Sequence, residues 1–160
     1  PATGIAFHGI GFFHGHQWPS PTLLKCTTLV MGHVHPVVTF RDPAGFKTTK
    51  QVWVKVNCNK TLLTKVLLLK HKMKIEKSAE KTLWRHYRIK PKTSQLFIMP
   101  SFNDFLGGRP LNERTLTRRP DSERIVGPVL RSEAINIENA ETYLLDGTFL
   151  GTLNQLKVLS

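Results

Sequence analysis

The sequence has few carboxylates and very little cysteine. Its 160 residues contain 11 Asp and Glu against 23 Lys and Arg, so the formal net charge is +12. Cys26 and Cys58 are too few for a disulfide framework, and their spacing fits no zinc motif. The chain is therefore not a disulfide-stapled secreted domain, and we expect both cysteines to be reduced thiols.

Long hydrophobic runs are also missing. No apolar stretch approaches the roughly 20 residues that a membrane-spanning helix requires. Hydrophobic residues make up 40% of the chain, and 160 residues suit one domain with a sizeable core. We therefore expect a cytoplasmic protein with no membrane partner.

Histidine, in contrast, is concentrated near the start of the chain, where five of the seven histidines lie in the first 35 residues. His14 and His16 follow an apolar run, and so do His33 and His35. In an extended backbone, residues two apart point to the same side, so each pair can reach one small volume. Pro36 favours an extended His35. The pattern predicts metal ligands at the ends of two strands, although His8 or His16 alone is typical of an ordinary surface histidine.

Four stretches of sequence together resemble a known family. The blocks are Phe13 to His16 with Pro19, Leu29 to Pro36, and the later stretches Phe97 to Gly108 and Tyr143 to Gly151. They are similar to the last motifs, a C-terminal loop and a final hairpin of the calcineurin-like metallophosphoesterases. Within that superfamily the similarity is greatest to the archaeal-type phosphoesterases related to SbcD.

The resemblance implies a fold and a set of roles. The fold would be the C-terminal half of a two-sheet α/β metallophosphoesterase sandwich, rich in β-strand with short helices, with residues 1–160 forming part of one domain. Two divalent metals would be bound, manganese first, with iron, nickel or zinc as alternatives. His14 and His33 would bind one metal and His35 the other. His33 would be catalytic, and so would His16, as a group beside the metal or the substrate.

The family's carboxylate motifs are not in this sequence. Its N-terminal half supplies Asp-x-His, Gly-Asp and Asn-His-Asp, whereas here the first acidic residue is Asp42, beyond the histidine pairs. We therefore expect a C-terminal fragment that lacks the N-terminal half of its domain, with a truncated paralogue as the alternative. Alone, the chain should bind metal weakly and hydrolyse phosphoesters at no useful rate.

A glycine-rich loop is a further candidate for the substrate side of the site. Asn103 can orient a histidine or a substrate, and Gly107 and Gly108 let the backbone approach closely. The same residues are also common turn formers, so an ordinary turn remains the alternative.

The positive charge is greatest between residues 60 and 92, which the resemblance marks as a basic insertion. This segment has 11 Lys and Arg against Glu76 and Glu80, a balance of +9. Cations next to Trp84 and Tyr87 suit DNA or RNA, because they neutralise phosphates while aromatic faces stack on bases. The candidate contacts are Lys70, Lys72, Lys74, Arg85 and Arg88. The alternative is a solvated segment that only keeps the protein soluble.

Three classes of function therefore remain open: a metal-dependent phosphoesterase, a non-catalytic nucleic-acid-binding module, and a structural remnant. The secondary structure is predicted more directly, from alternation and turn signals. We predict strands at 4–8, 10–14, 28–33, 37–40, 51–57, 71–75 and 96–99, a short helix at 20–26, an exposed loop at 109–124, a helical turn at 132–134 and a hairpin turn at 146–147. Residues 61–69 fit either a helix or a strand.

Overall fold

One open, mixed β-sheet organises the chain in a computed structural model, which describes residues 3–103, 106–113 and 127–159. The described part is a small, β-rich α/β domain with a few short helices. Its strands are β1 Ile5–Phe7, β2 Ile10–Phe13, β3 Thr28–Met31, β4 Pro36–Arg41, β5 Lys47–Asn57, β6 Gln95–Ile98, β7 Arg109–Pro110, β8 Glu141–Leu144 and β9 Phe149–Thr152.

Two kinds of pairing build this sheet. Its strand order is β1-β2-β3-β6-β5-β4-β7, and β8 joins β5 to β9 outside that path. β2, β3 and β6 run parallel to one another, whereas β5 is antiparallel to β4, β6 and β8. The parallel strands matter most for the site, because their carboxyl ends meet at one edge of the sheet.

The helices begin where the sequence supplies a capping side chain. α1 spans Lys60–Lys70, and the side chain of Asn59 accepts a hydrogen bond from the Leu62 amide. α2 spans Ala79–Tyr87 and is capped in the same way by Ser78. α3 is one turn, Leu153–Leu156. Short 3-10 helices lie at Pro21–Lys25, Ile137–Asn139 and Lys157–Leu159. A side chain that satisfies a free amide of the first turn stabilises a helix start, which explains why 61–69 is helical.

The core lies on one face of the sheet. Side chains of β2, β3, β5 and β6 that point to this face are buried together with leucines of α1 and α2. Leu63, Leu67, Leu68 and Leu83 are all fully buried. The basic segment 60–92 thus contributes helices to the core, which excludes a purely solvated extension.

No described element covers the other face of the sheet. Ile5, Phe7 and Phe149 on this face are 54%, 63% and 55% exposed. The strand register places them with further half-buried or exposed apolar side chains across seven strands. These further residues are Ile10, Phe12, Val30, Trp53, Phe97 and Tyr143. We call this set the uncovered sheet face.

The predicted strand at 71–75 is wrong. Residues 71–77 form an irregular connection between α1 and α2. Met73 accepts a hydrogen bond from the Tyr87 hydroxyl, and the ring Nε2 of His71 lies 3.0 Å from the Pro19 carbonyl oxygen. The alternation seen in the sequence reflects these side-chain contacts and not a strand pairing.

Two further predictions need correction. Residues 109–110 form β7, and Leu111 and Asn112 are buried, so an exposed loop is wrong there; 114–124 lies outside the described residues. Residues 132–134 form a turn closed by the Ile135 amide on the Ser132 carbonyl, 3.1 Å, and not a helical turn. The hairpin turn at 146–147 is confirmed between β8 and β9.

Among the described residues, no helix has the length and apolar character needed to cross a bilayer. Cys26 and Cys58 are both free thiols.

Candidate functional site

The histidine pairs follow two parallel strands that are direct neighbours. Phe13, the last residue of β2, is in register with Met31, the last residue of β3. The segments that follow, His14–His16 and Gly32–His35, therefore leave the sheet at the same edge. Open sheets commonly place their functional groups at the carboxyl ends of such strands.

Three of the imidazoles form a compact cluster. The ring centroids of His14 and His16 are 5.0 Å apart, those of His14 and His33 are 5.1 Å apart, and those of His16 and His33 are 6.0 Å apart. His35 is close enough for its charge to affect His14. We call these four residues the histidine cluster.

The backbone of the second pair is not extended, contrary to the prediction from its i, i+2 spacing and from Pro36. β3 ends at Met31, and His33 and His35 have φ values of 70° and 48°, in the left-handed region. Val34 between them is only 2% exposed, and its amide donates to the Gly32 carbonyl, 2.8 Å. Burial of Val34 in a sharp turn, and not strand alternation, separates the two histidines from the core.

Left-handed backbone is uncommon outside glycine, although histidine adopts it more readily than most residues. It costs of order 1–3 kcal/mol per residue and persists where the surrounding structure enforces it, often at functional sites. Two such residues in one turn therefore indicate that the position of the imidazoles is constrained by the fold.

Glycines allow the two segments to pack closely. Gly15 has φ 110°, and a Cβ there would lie 2.5 Å from the Met31 methyl group. A Cβ on Gly127 would lie 2.3 Å from the Gly15 carbonyl oxygen and 3.8 Å from Cδ2 of His33. Gly127 is thus a neighbour of the cluster that the sequence did not reveal, because nothing local distinguishes it.

The electrostatics of the cluster favour a neutral ring at His14. Burial lowers the pKa of His14 from its usual value, and the nearby charges of His33, His16 and His35 lower it further. A neutral ring is the form that binds a metal. The Nε2 atom of His33 is buried without a hydrogen-bond partner in the described structure. Buried polar atoms are nearly always paired, so this atom is a candidate to bind a ligand.

The glycine-rich loop reaches the cluster through Gly108. A Cβ on Gly108 would lie 2.6 Å from the His35 carbonyl oxygen and 2.1 Å from Val37. The next residue, Arg109, donates its amide to that same carbonyl, 2.9 Å. Gly107 has φ 33° and lies in the open turn before it. Asn103 makes local bonds: its amide donates to Ser101 Oγ, and its carbonyl accepts from Leu106.

An apolar groove connects the histidine cluster with the uncovered sheet face. It is open to solvent along one side. Its walls include Ile5, Phe12, Val30 and Met99, and it ends at His14 and Gly32.

The five basic candidates lie away from this groove, on the helical part of the chain. Lys70 ends α1, Lys72 and Lys74 lie in the connection to α2, and all three are exposed. Arg85 and Arg88, at the end of α2, are also exposed, and Arg85 pairs with Glu76 of the connection, 2.5 Å.

The cluster fits a divalent metal only in part. Imidazole is a good ligand for manganese, iron, nickel and zinc, and the partnerless Nε2 of His33 suits such a role. Among the described residues, however, no three His, Cys, Asp or Glu side chains are arranged to hold one ion. Any complete metal site would need ligands from outside the described residues.

No protein-family model, curated protein or solved structure matches the chain.

Proposed function

We propose that the chain supplies the histidine side of a metal-dependent phosphoester hydrolase. The observation that carries the proposal is the meeting of His14, His16 and His33 within 6.0 Å at the ends of two adjacent parallel strands, with Nε2 of His33 buried and without a partner. The resemblance of the same residues to metallophosphoesterase motifs supports it.

The roles follow the chemistry of the ligands. His14 and His33 would bind one divalent metal and His35 a second, with manganese first and iron, nickel or zinc as alternatives. Held by these histidines, two divalent metals would supply acidification of a water molecule and stabilisation of charge on the phosphate oxygens. His16, exposed beside His14 and His33, would act beside the metal or on the substrate side of the site.

The missing carboxylates would come from a further layer of the same domain. Apolar side chains span the uncovered sheet face, and the groove on that face ends at His14. A polypeptide layer packed there would bury this surface and bring its own side chains next to the histidine cluster. This is the arrangement expected if the chain is one half of a two-sheet sandwich that binds two metals.

The test uses protein expressed from the native gene, loaded with manganese, together with His33→Ala and His86→Ala variants. His86 is an exposed histidine of α2 and serves as a matched control. We expect His33→Ala to lower both metal content and hydrolysis of a phosphodiester by at least about 10-fold, since losing even a group that supports a metal ligand typically costs about 10- to 100-fold. His86→Ala should change neither. A protein that binds no manganese, or whose hydrolysis survives His33→Ala, would refute the proposal.

A nucleic-acid-binding surface on the helices is a second candidate. The observation that favours it is Trp84, which is 47% exposed on α2 between exposed Lys81, Arg85 and Arg88. The contacts of Tyr87 with Met73 and of Arg85 with Glu76 hold the connection that carries Lys72 and Lys74 against the same helix. An exposed aromatic ring among cations suits single-stranded nucleic acid.

This second candidate is tested by the salt dependence of binding to a thymidine oligonucleotide. Each phosphate contact to a single strand contributes about 0.7 to the slope of log K against log salt. Arg88→Gln should therefore reduce that slope by about 0.7. Lys50→Gln, in strand β5 and away from the helices, should leave the slope unchanged. Equal effects of the two variants would show that only net charge matters.

A further inference from the structure

We propose that Arg109 forms an oxyanion site beside the histidine cluster that receives the phosphate of a ligand. Within the described residues, only two buried side-chain nitrogen or oxygen atoms have no hydrogen-bond partner, and they are Nε of Arg109 and Nε2 of His33. Arg109 is half-buried as a residue, but a buried Nε donor without a partner costs stability that a bound anion would restore.

The backbone places Arg109 next to the turn that carries His33. Arg109 is in register with Pro36 in the parallel pairing of β7 with β4, and its amide donates to the His35 carbonyl, 2.9 Å. Gly108 packs so tightly on Val37 and on that carbonyl that no larger residue fits. The position of Arg109 is therefore set by contacts with the turn that carries His33 and His35.

No described acidic residue pairs with Arg109. The ion pairs of the described structure join Lys47 with Glu113, Lys55 with Glu141, Arg85 with Glu76 and Lys157 with Glu138. The Nε donor of Arg109 is therefore available to an anion that is not part of the described chain.

The chemistry of the guanidinium favours a phosphate. Its planar array of donors matches two oxygens of a phosphate or a carboxylate, and it stays charged at any physiological pH. Arg109 contacts the turn that carries His33 and His35 through its backbone, so the phosphate of a ligand at the histidine cluster is the anion that we assign to it. The inference that the anion is a phosphate rests on the proposed hydrolase function. The inference that an anion binds at all rests on Arg109 alone.

The experiment follows phosphate binding by the 160-residue chain without metal. The chain is labelled with ¹⁵N, and inorganic phosphate is titrated in the presence of a chelator at constant ionic strength while the arginine Nε and histidine ring signals are recorded. The variants are Arg109→Gln, Arg109→Lys and, as a matched control on β4, the exposed Arg41→Gln.

We expect phosphate to shift the Arg109 Nε signal in the wild-type chain. Arg109→Gln should weaken phosphate binding at least about tenfold, because a hydrogen bond to a charged group is lost. Arg109→Lys, which keeps the charge and a compact fold, should bind with intermediate strength, and Arg41→Gln should bind as the wild type does.

Three results would overturn the proposal: unchanged phosphate binding by Arg109→Gln, equal losses in Arg109→Gln and Arg41→Gln, or acetate shifting the Arg109 signal as well as phosphate does. The last result would assign the site to a carboxylate of a protein partner. Manganese binding and hydrolysis by the protein expressed from the native gene, measured separately, distinguish the two proposals. Phosphate binding by the chain, together with neither manganese binding nor hydrolysis by that protein, refutes the hydrolase, and the reverse refutes only the Arg109 site.

Discussion

At the residue scale, the left-handed backbone of the histidine turn gives a test that does not depend on function. His35 has φ 48°, a conformation that a residue with a Cβ adopts at a cost and glycine adopts freely. His35→Gly and His35→Ala remove the same imidazole. We therefore expect the glycine variant to have the higher free energy of unfolding, by about 1 kcal/mol, when both are measured by chemical denaturation.

Lys65 provides the matched control for this comparison. It is exposed in the middle of α1, where glycine is less favourable than alanine by about 1 kcal/mol. The sign of the difference between glycine and alanine should therefore reverse between positions 35 and 65. An alanine variant at position 35 that is as stable as the glycine variant would show that the turn does not require left-handed backbone.

Some residues of the candidate site could be predicted from the sequence and others could not, depending on whether their contacts are close in the sequence. Spacing alone predicted that His14 and His33 follow strands, because an apolar run and the residue after it are adjacent in the sequence. Arg109 and Gly127 were missed since their contacts with His35 and Gly15 join parts of the chain more than 70 residues apart. The left-handed conformation of His33 was missed because it follows from the burial of Val34.

At the element scale, the pairing of β5 with β8 carries a carboxylate whose ionisation is tied to folding. Glu141 of β8 accepts hydrogen bonds from the Tyr143 hydroxyl and from the amine of Lys55 in β5, its register partner, 3.0 Å for the latter. The bond from Tyr143, and then that from Lys55, lower the pKa of Glu141. The ionised carboxylate thus stabilises this strand pair.

The sign of the pH effect follows from that lowered pKa. The unfolded chain takes up the proton first as the pH falls, so the stabilisation is complete above the ordinary carboxyl pKa of about 4.3 and is lost as the pH falls through the lower folded value. We expect Glu141→Gln to be less stable than the wild type at pH 7, and the difference should disappear as the pH falls through the lowered pKa of Glu141. Denaturation curves at several pH values measure this.

Glu80→Gln is the control for this pH series. Glu80 is exposed on α2, and the ion pairs described above do not include it. Its substitution should shift the curve of stability against pH much less than Glu141→Gln does. A Glu141→Gln variant that tracks the wild type at every pH would mean that solvent screens the contacts of Glu141 completely.

Strands and turns could be predicted where one local sequence signal, such as an apolar run or a turn dipeptide, was strong. β3, β6 and the hairpin of β8 and β9 follow from short apolar runs and from Asp146-Gly147, since the turn chemistry is local. Residues 71–75 show the same alternation as a strand but have no partner strand in the described sheet. Alternation reports which side chains are buried, and it reports pairing only where a neighbouring strand is available.

At the scale of the whole molecule, the two faces of the sheet differ in a way that helix and strand patterns could not predict. Both faces are rich in apolar side chains, but only one is packed against described helices. Exposed apolar side chains gathered on one face, here around the Lys55–Glu141 ion pair, favour an interaction surface. Sequence patterns identify which residues prefer burial, whereas the element that buries them can lie outside the described chain.

This asymmetry predicts that the 160-residue chain associates in solution when nothing covers the uncovered sheet face. Phe7, 63% exposed on the edge strand β1, lies on that face. Phe7→Thr keeps a residue that favours strands and removes a large apolar surface. We expect this variant to weaken self-association, measured by analytical ultracentrifugation over a range of concentrations, without lowering the free energy of unfolding.

Phe46 separates the effect of the face from that of exposed apolar area in general. It is 73% exposed, more than Phe7, but lies in the connection between β4 and β5 and not on the uncovered sheet face. If association is driven by that face, Phe46→Thr leaves it intact while Phe7→Thr weakens it. If the two variants behave alike, or the wild-type chain stays monomeric at high concentration, the face needs no covering layer. The uncovered sheet face would then no longer support the proposal of a two-sheet sandwich.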